Sequence, residues 1–98
     1  MSPTVGVLAL LEAKPGKGDD LGKFLEAGRD LAAGEPGTVT WYAFKISNTQ
    51  YGIFDTFDDD DGRQAHLGGQ IPAALGQVAD ELLAATPNIR TVDVLAVK

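Results

Sequence analysis

The sequence predicts an α+β fold of the ferredoxin-like kind, in which a four-stranded antiparallel sheet carries its helices on one face. Strand and helix patterns alternate along the 98 residues in the order β-α-β-β-α-β, which is the split β-α-β arrangement. Apolar residues also occupy both faces of the predicted strands. No repeat, linker or low-complexity stretch divides the chain, so residues 1–98 are expected to form a single domain.

The first half of the chain predicts a strand followed by an amphipathic helix. The β-branched and leucine-rich run 4–13 predicts the strand, which stops at a Lys-Pro-Gly turn. Large apolar and small residues then recur every three or four positions over 21–32, as they do on one face of a helix. Gly34 is expected at the C′ position of this helix, and Pro36 prevents its continuation.

The second half predicts a hairpin, two helical segments and a last strand. The β-branched and aromatic run 38–46 and the run 50–57 flank a Ser-Asn-Thr turn, which indicates a β-hairpin. A helix is expected over 59–68. Another starts around Ile71 and is expected to last until the Thr-Pro pair at 86 and 87, because a residue before proline disfavours helix. Residues 88–98 predict the final strand.

The alternation within the strands predicts a sheet that is apolar on both faces, although helices can cover only one. In the first strand, one face holds Val5, Val7, Ala9 and Leu11, and the other holds Leu8 and Leu10. In the second strand, one face holds Val39, Trp41 and Ala43, and the other holds Tyr42, Phe44 and Ile46. In the last strand, one face holds Val92, Val94 and Ala96, and the other holds Ile89, Leu95 and Val97. Four strands leave about 500 Å² uncovered. That area is near the upper end of the roughly 300–600 Å² that monomers expose. We therefore predict a homodimer formed through the open sheet face.

Charge and composition exclude several classes of function. The 8 basic and 14 acidic residues give a net charge of −6, which disfavours binding to nucleic acid or to an anionic membrane. The sequence has no cysteine, so it can form neither a disulfide nor a thiolate metal site. A single histidine excludes a multi-histidine metal site within one chain. With neither a signal-peptide pattern nor an apolar run of about 20 residues, we expect a cytoplasmic protein.

Two side chains are candidates for acid–base chemistry. His66 lies about two turns into the second predicted helix, where it could act as a general base in a pocket between helix and sheet. The alternative is a surface or half-buried histidine favoured there by the helix dipole. Asp55 shares its strand face with Tyr51, Ile53 and Phe57, and could orient His66 if that face meets the helices. Alternatively, this end of the strand is solvated.

The acidic run 58–62 predicts the start of a helix and not a calcium loop. A calcium loop needs acids at alternate positions and a glutamate six residues after its glycine. In this sequence Phe57 would take the first ligand position and Gly68 the place of the glutamate. We expect an N-cap followed by acidic residues in the first turn, with an ion pair between Asp59 and Arg63. No metal site is expected.

Three segments together resemble the antibiotic biosynthesis monooxygenase (ABM) superfamily of dimeric α+β barrels. They are LLEAKPGKGDDL (10–21), EPGTVTWYAFK (35–45) and YGIFDTFDDDDGRQAHL (51–67). The KPGK turn, the EPG before the second strand and the AHL of the second helix carry the resemblance. It implies two chains packed sheet against sheet, and a pocket between sheet and helices that is roofed by the helix carrying His66.

The resemblance also implies an activity. Members of this superfamily include cofactor-independent monooxygenases that act on quinols or anthrone-like polyphenols. By that resemblance, His66 would remove a proton from an aromatic substrate and Asp55 would orient it, while Trp41, Tyr51 and Phe57 would contact the ring. No cofactor would be needed, because the deprotonated substrate itself reduces dioxygen.

Other members of the superfamily degrade haem, and this sequence departs from their pattern. They resemble one another in an asparagine on the first strand and a tryptophan at the end of the third. Residues 4–13 contain no asparagine, and Phe57 stands where the tryptophan would be. Haem degradation is therefore disfavoured. Two alternatives to an oxygenase remain: a non-catalytic dimer that binds a small molecule or serves in stress physiology, and a structural dimer without a pocket.

Overall fold

Four strands form one antiparallel sheet in the order β2-β3-β1-β4, which is the order of a ferredoxin-like fold. The structure is a computed structural model and describes residues 2–98. The elements are β1 (Val5–Glu12), α1 (Gly18–Ala33), β2 (Thr38–Lys45), β3 (Gln50–Phe57), α2 (Asp60–Leu67), α3 (Gln70–Leu82) and β4 (Asn88–Asp93). The predicted fold class is therefore confirmed. Within residues 2–98, none of the helices has the length and apolar character needed to cross a membrane.

The hydrophobic core lies between one face of the sheet and the helices. Alternate residues of β1 and β3 meet α1 and α3 there, as the period of two in the strands and the helical spacing predict. The core members are Ala9, Leu11, Ala13, Leu21, Leu25, Tyr51, Ile53, Leu75 and Leu83. On the opposite face, Leu8, Leu10 and Phe44 are only partly buried, and Tyr42 is 60% exposed. The sheet of a single chain thus keeps an open apolar face.

Two predicted boundaries are wrong, and tertiary pairing explains both. α3 ends at Leu82 and not at residue 86, because Leu83 pairs with Ala13 in an isolated bridge and the N–H of Ala84 donates to the carbonyl of Glu12. β4 ends at Asp93 and not at residue 98. Its neighbour β1 begins at Val5, so residues 95–98 run past the end of the strand with which β4 pairs.

Two smaller expectations about backbone geometry are also corrected. The register between β2 and β3 shifts between Thr38 and Thr40, so Val39 lies in a bulge. The sequence predicts instead a regular strand in which Val39 shares one face with Trp41. Gly34 does end α1, but its φ of −84° is right-handed. It is the C-cap residue of α1 and not the C′ residue that the sequence predicts.

The acidic run starts α2 as predicted, although its ion pair differs. The Asp59 carboxylate caps the helix by accepting from the N–H of Gly62 at 3.1 Å. Because Asp59 is used in this way, Arg63 pairs instead with Asp60, whose Oδ1 lies 2.9 Å from Nη2. The same guanidinium donates to the carbonyls of Gly6 and Val92 at 3.3 and 3.2 Å. Arg63 therefore fastens α2 to β1 and β4.

Candidate acid–base site

One buried cluster of titratable side chains joins α2, β3 and the turn between α1 and β2. His66 lies in the last turn of α2, and its side chain is 6% exposed. Asp55 lies on the helix-facing side of β3 and is 1% exposed. The third member, Glu35, follows the end of α1 and is partly exposed at the surface. A histidine between two acids in the interior is a centre for holding or moving a proton.

The imidazole of His66 is held by a carboxylate at each nitrogen. Nε2 lies 2.9 Å from Oδ2 of Asp55, and Nδ1 lies 2.8 Å from Oε1 of Glu35. Both distances are those of charge-assisted hydrogen bonds. Carboxylates only accept hydrogen bonds, so both ring nitrogens donate when the ring is an imidazolium. The geometry therefore favours the charged form of His66.

The turn that carries Glu35 is built to bring its carboxylate to α2. The N–H of Thr38 donates to the carbonyl of Glu35 at 3.2 Å, and Pro36 occupies the second position of this turn, where proline is preferred. Gly37 then meets Gly62 of α2 so closely that a Cβ on Gly37 would lie 3.2 Å from the Cα of Gly62. This close approach lets Glu35 reach the end of α2.

Two further contacts fix the orientation of the cluster. The hydroxyl of Thr38 donates to Oε1 of Glu35 at 2.7 Å, so this oxygen accepts from two donors. The ring of Phe57, which is completely buried, lies against the imidazole with 5.3 Å between ring centroids and 43° between planes. Together they restrict Glu35 and His66 to one arrangement.

Opposing effects act on the pKa of His66. Burial disfavours the charged ring and by itself lowers the pKa. The hydrogen bonds from the ring to Asp55 and Glu35, with the negative charges of both acids, act in the other direction and outweigh burial. The pKa of His66 is therefore raised above its ordinary value of 6.5.

This shift predicts how stability depends on pH. The pKa of His66 is higher in the folded than in the unfolded chain, so protonated His66 stabilises the fold. This contribution to the free energy of unfolding is complete below about pH 6.5 and is lost as the pH rises through the pKa of His66 in the folded chain. We expect urea unfolding at a series of pH values from 6 to 9 to show this decline. In His66→Gln the same decline should be absent. An equal decline in both proteins would contradict the assignment.

A pocket of about 420 Å³ opens on the outer side of this cluster. Glu35 and His66 line it, together with the end of α1, the turn after it and the start of α3. Its volume lies within the roughly 300–1,000 Å³ of small-molecule sites. Asp55 does not line the pocket and lies behind His66. Glu35 is thus the carboxylate that a bound ligand can reach, and Asp55 is the buried one.

The structure brings together only part of the predicted site. Asp55 lies beside His66, and Phe57 packs against the imidazole from within the core. Tyr51 belongs to the far end of the core and lines a different pocket, beside α1. Trp41 lines a separate apolar cavity between α1, α3 and the sheet. The described residues therefore do not place the three aromatic rings around one cavity, and their contact with a substrate stays a prediction.

Two buried polar atoms have no hydrogen-bond partner within the described part of the chain: Oδ1 of Asp55 and Nε1 of Trp41. The two residues are cross-strand neighbours in the β3–β2 register. One atom is an acceptor and the other a donor. Across residues 2–98, no three histidine or carboxylate side chains are placed to hold a metal ion together.

No pattern in the sequence indicates that Glu35 belongs to the site. Its contact with His66 spans 31 residues of chain, and it lies in a turn outside the periodic elements. The EPG segment that contains Glu35 indicates only the family resemblance. An acidic residue directly after an amphipathic helix is common, and nothing local shows where its carboxylate points.

Comparison with solved structures places the chain among known folds. It is 46% identical to the NE2512 protein of Nitrosomonas europaea, a protein of unknown function, with a TM-score of 0.96 over 98% of this chain and 93% of that one. The chain belongs to the same family as that protein. No family model and no curated protein matches the sequence.

More distant structures include proteins provisionally named antibiotic biosynthesis monooxygenases. One from Caulobacter crescentus is 24% identical, with a TM-score of 0.77 over 96% of this chain and 92% of its own. Another, from Nitrosomonas europaea, is 11% identical, with a TM-score of 0.83 over 94% of this chain and 99% of its own. The family therefore has the fold of the ABM superfamily, as the sequence resemblance predicts.

Proposed function

We propose that this chain is a cofactor-independent monooxygenase that acts on a quinol or polyphenol-type aromatic substrate. The observation that carries the proposal is the placement of Glu35. Its carboxylate lines a pocket large enough for a small molecule, and the same carboxylate accepts a hydrogen bond from the buried imidazole of His66. The likeness in fold to proteins named as monooxygenases supports the same class of reaction.

The geometry assigns the proton transfer to Glu35, with His66 and Asp55 as positioning residues. Both nitrogens of His66 already face carboxylates, so the imidazolium has no lone pair to offer a substrate. Glu35 is the carboxylate of the cluster that a phenolic hydroxyl in the pocket can reach. The carboxylate accepts the phenolic proton as general base, and His66 holds it in position. The resemblance implies His66 as the base, whereas this proposal gives His66 a positioning role beside Glu35.

The reaction balances without a cofactor. The substrate anion gives electrons to dioxygen, a new C–O bond forms on the ring, and the O–O bond breaks. For a hydroquinone, one oxygen atom is retained as the new ring oxygen, and the other leaves as water with two hydrogens from the substrate. The product is the hydroxylated quinone, and the substrate supplies all four electrons that dioxygen accepts. Phenolate need form only transiently, because its reaction with dioxygen consumes it.

The experiment is oxygen-electrode screening of the purified protein against hydroquinones and anthrones, with a chelator present and no added flavin. We expect oxygen uptake above the spontaneous rate for at least one compound, and the hydroxylated quinone or anthraquinone as product. Uptake that occurs only when the chelator is left out would show metal chemistry instead. The absence of uptake across the panel would contradict the proposal.

One observation favours a second candidate, a non-catalytic protein that binds a small molecule in the same pocket. An imidazolium fixed between two carboxylates also serves as a purely structural link between α2, β3 and the turn after α1. Binding without reaction would then appear as a saturable change in the spectrum of an aromatic ligand, with no oxygen consumed. The oxygen-electrode panel separates the two candidates.

We also propose that two chains pair through the open sheet face. In a single chain this face exposes Tyr42, and the residues beyond β4 expose Leu95 almost completely, at 96%. Such an apolar area favours a partner surface of the same kind.

Sedimentation analysis at micromolar concentration should therefore give the mass of a dimer. Tyr42→Glu should produce monomers, because it places a charge on the apolar face that the two chains would bury. Ala43→Glu is the matched control, since Ala43 is the next residue of β2 and points to the other side of the sheet. A wild-type protein that sediments as a monomer would contradict the pairing.

A further inference from the structure

We propose that the apolar cavity beside Trp41 is a binding site for dioxygen, adjacent to the pocket that carries Glu35. The cavity has a volume of about 80 Å³, lies between α1, α3 and the sheet, and is partly open to solvent beside Ala27 and Leu31. Its walls are almost entirely hydrocarbon and include Phe24, Leu31, Trp41, Ile53 and Ile71. The assignment of dioxygen as the ligand rests on the proposed function, whereas the cavity as a site for a small apolar molecule does not.

Size and polarity decide which molecule can occupy the cavity. Water against hydrocarbon walls loses hydrogen bonds, so a small apolar molecule displaces it readily, and an enclosed cavity of about 150 Å³ is known to take benzene or xenon. The cavity beside Trp41 has roughly half that volume. It is therefore too small for the aromatic ring of a quinol and large enough for an apolar diatomic. Dioxygen has these properties, and the proposed reaction consumes it.

The position of Leu31 connects the cavity to the candidate acid–base site. Leu31 lies on the last turns of α1 and lines both the cavity beside Trp41 and the pocket with Glu35 and His66. Its side chain is 37% exposed, so it is not locked in the core. A rotation of this one side chain would bring a molecule in the cavity into contact with a substrate anion in the pocket.

Gly28 offers a way to fill the cavity without disturbing the acid–base site. A Cβ at Gly28 would lie 3.4 Å from two ring carbons of Trp41, which is ordinary van der Waals contact. Gly28→Ala therefore adds a methyl group to the wall of the cavity. Gly22→Ala is the matched control: Gly22 lies in the same helix, its Cβ would meet only Tyr51 at 3.5 Å, and it lines another pocket. Both changes raise helix propensity equally.

The first test uses the fluorescence of Trp41, the only tryptophan in the sequence. Dioxygen quenches tryptophan emission on contact, so lifetimes measured at increasing oxygen pressure report on access to Trp41. Trp41 also lines a second pocket that Gly28 does not line, so the difference between Gly28→Ala and the wild type reports on access through this cavity. We expect Gly28→Ala to lower the quenching constant by about twofold or more, because the added methyl fills much of the space. Gly22→Ala should match the wild type. Equal quenching in all three proteins would overturn the proposal.

The second test needs neither turnover nor a substrate. Xenon, an apolar probe of similar size, should cause saturable shifts of the methyl NMR signals of Leu31, Ile53 and Ile71 in the wild type, and weaker ones in Gly28→Ala. Unsaturable shifts spread over the surface would count against the site. If oxygen uptake is absent while xenon binds, the proposed function fails and the cavity remains a site for small apolar molecules. If uptake is present, Gly28→Ala should raise the KM for dioxygen relative to Gly22→Ala.

Discussion

Replacing Glu35 by glutamine is expected to reduce quinol-dependent oxygen uptake by about 10²- to 10⁴-fold, which is the usual contribution of a general base. Glutamine has the same shape, and its carbonyl oxygen can still accept from His66 Nδ1–H and from the hydroxyl of Thr38. The change therefore removes the basic oxygen and leaves the frame of the site in place. The rate is measured with the oxygen electrode at saturating substrate.

The control for this experiment is Glu26→Gln. Glu26 is an exposed glutamate on α1 that lines a different pocket, so the two variants lose the same charge at different places. We expect Glu26→Gln to retain the rate of the wild type. A rate in Glu35→Gln that equals the control would show that Glu35 does not take the substrate proton. In that event the acid–base assignment fails even if the wild type consumes oxygen.

The largest effect on stability is expected for Asp55→Asn. Asp55 is the most deeply buried member of the cluster, and its Oδ2 faces Nε2 of His66 at 2.9 Å. Removing one partner of a buried ion pair leaves a charge uncompensated in the interior, which costs about 3 kcal/mol or more. We expect the free energy of unfolding, measured with urea at pH 6, to fall by about this amount.

The matched control is Asp93→Asn, which changes an exposed aspartate at the end of β4. It should leave stability within about 0.5 kcal/mol of the wild type, as surface substitutions usually do. The loss in Asp55→Asn should also become smaller at high pH, where the wild-type His66 is itself neutral. A loss that is independent of pH would indicate a packing defect instead of a broken ion pair.

The elements whose apolar spacing is regular were predictable from the sequence. The hairpin of β2 and β3, the buried stripe of α1 and the N-cap at Asp59 each follow from local chemistry that the fold keeps. The errors fall where a distant strand decides the outcome. Residue 83 has a helical pattern and yet pairs with Ala13, and residues 95–98 have a strand pattern and yet extend past β1.

Only part of the candidate site was predictable from the sequence: the contact between Asp55 and His66 was, and the contribution of Glu35 was not. Strand parity placed Asp55 on the side of the sheet that the helices cover, so its meeting with His66 was a reasonable expectation. Glu35 required knowledge of how the turn after α1 packs on α2, which depends on the contact between Gly37 and Gly62. No periodic pattern encodes such a contact. Glu35, which no sequence pattern reveals, is also the residue to which the proposed mechanism gives the proton transfer.

The most direct test of the mechanism is the protonation state of His66, the only histidine in the sequence. The ¹⁵N chemical shifts of its ring, followed by NMR from pH 5 to 9, report separately on Nδ1 and Nε2. We predict that both nitrogens stay protonated to a pH above the ordinary histidine value of about 6.5, because each faces a carboxylate. A midpoint below that value, with one nitrogen unprotonated near neutrality, would contradict the imidazolium and return the role of base to His66.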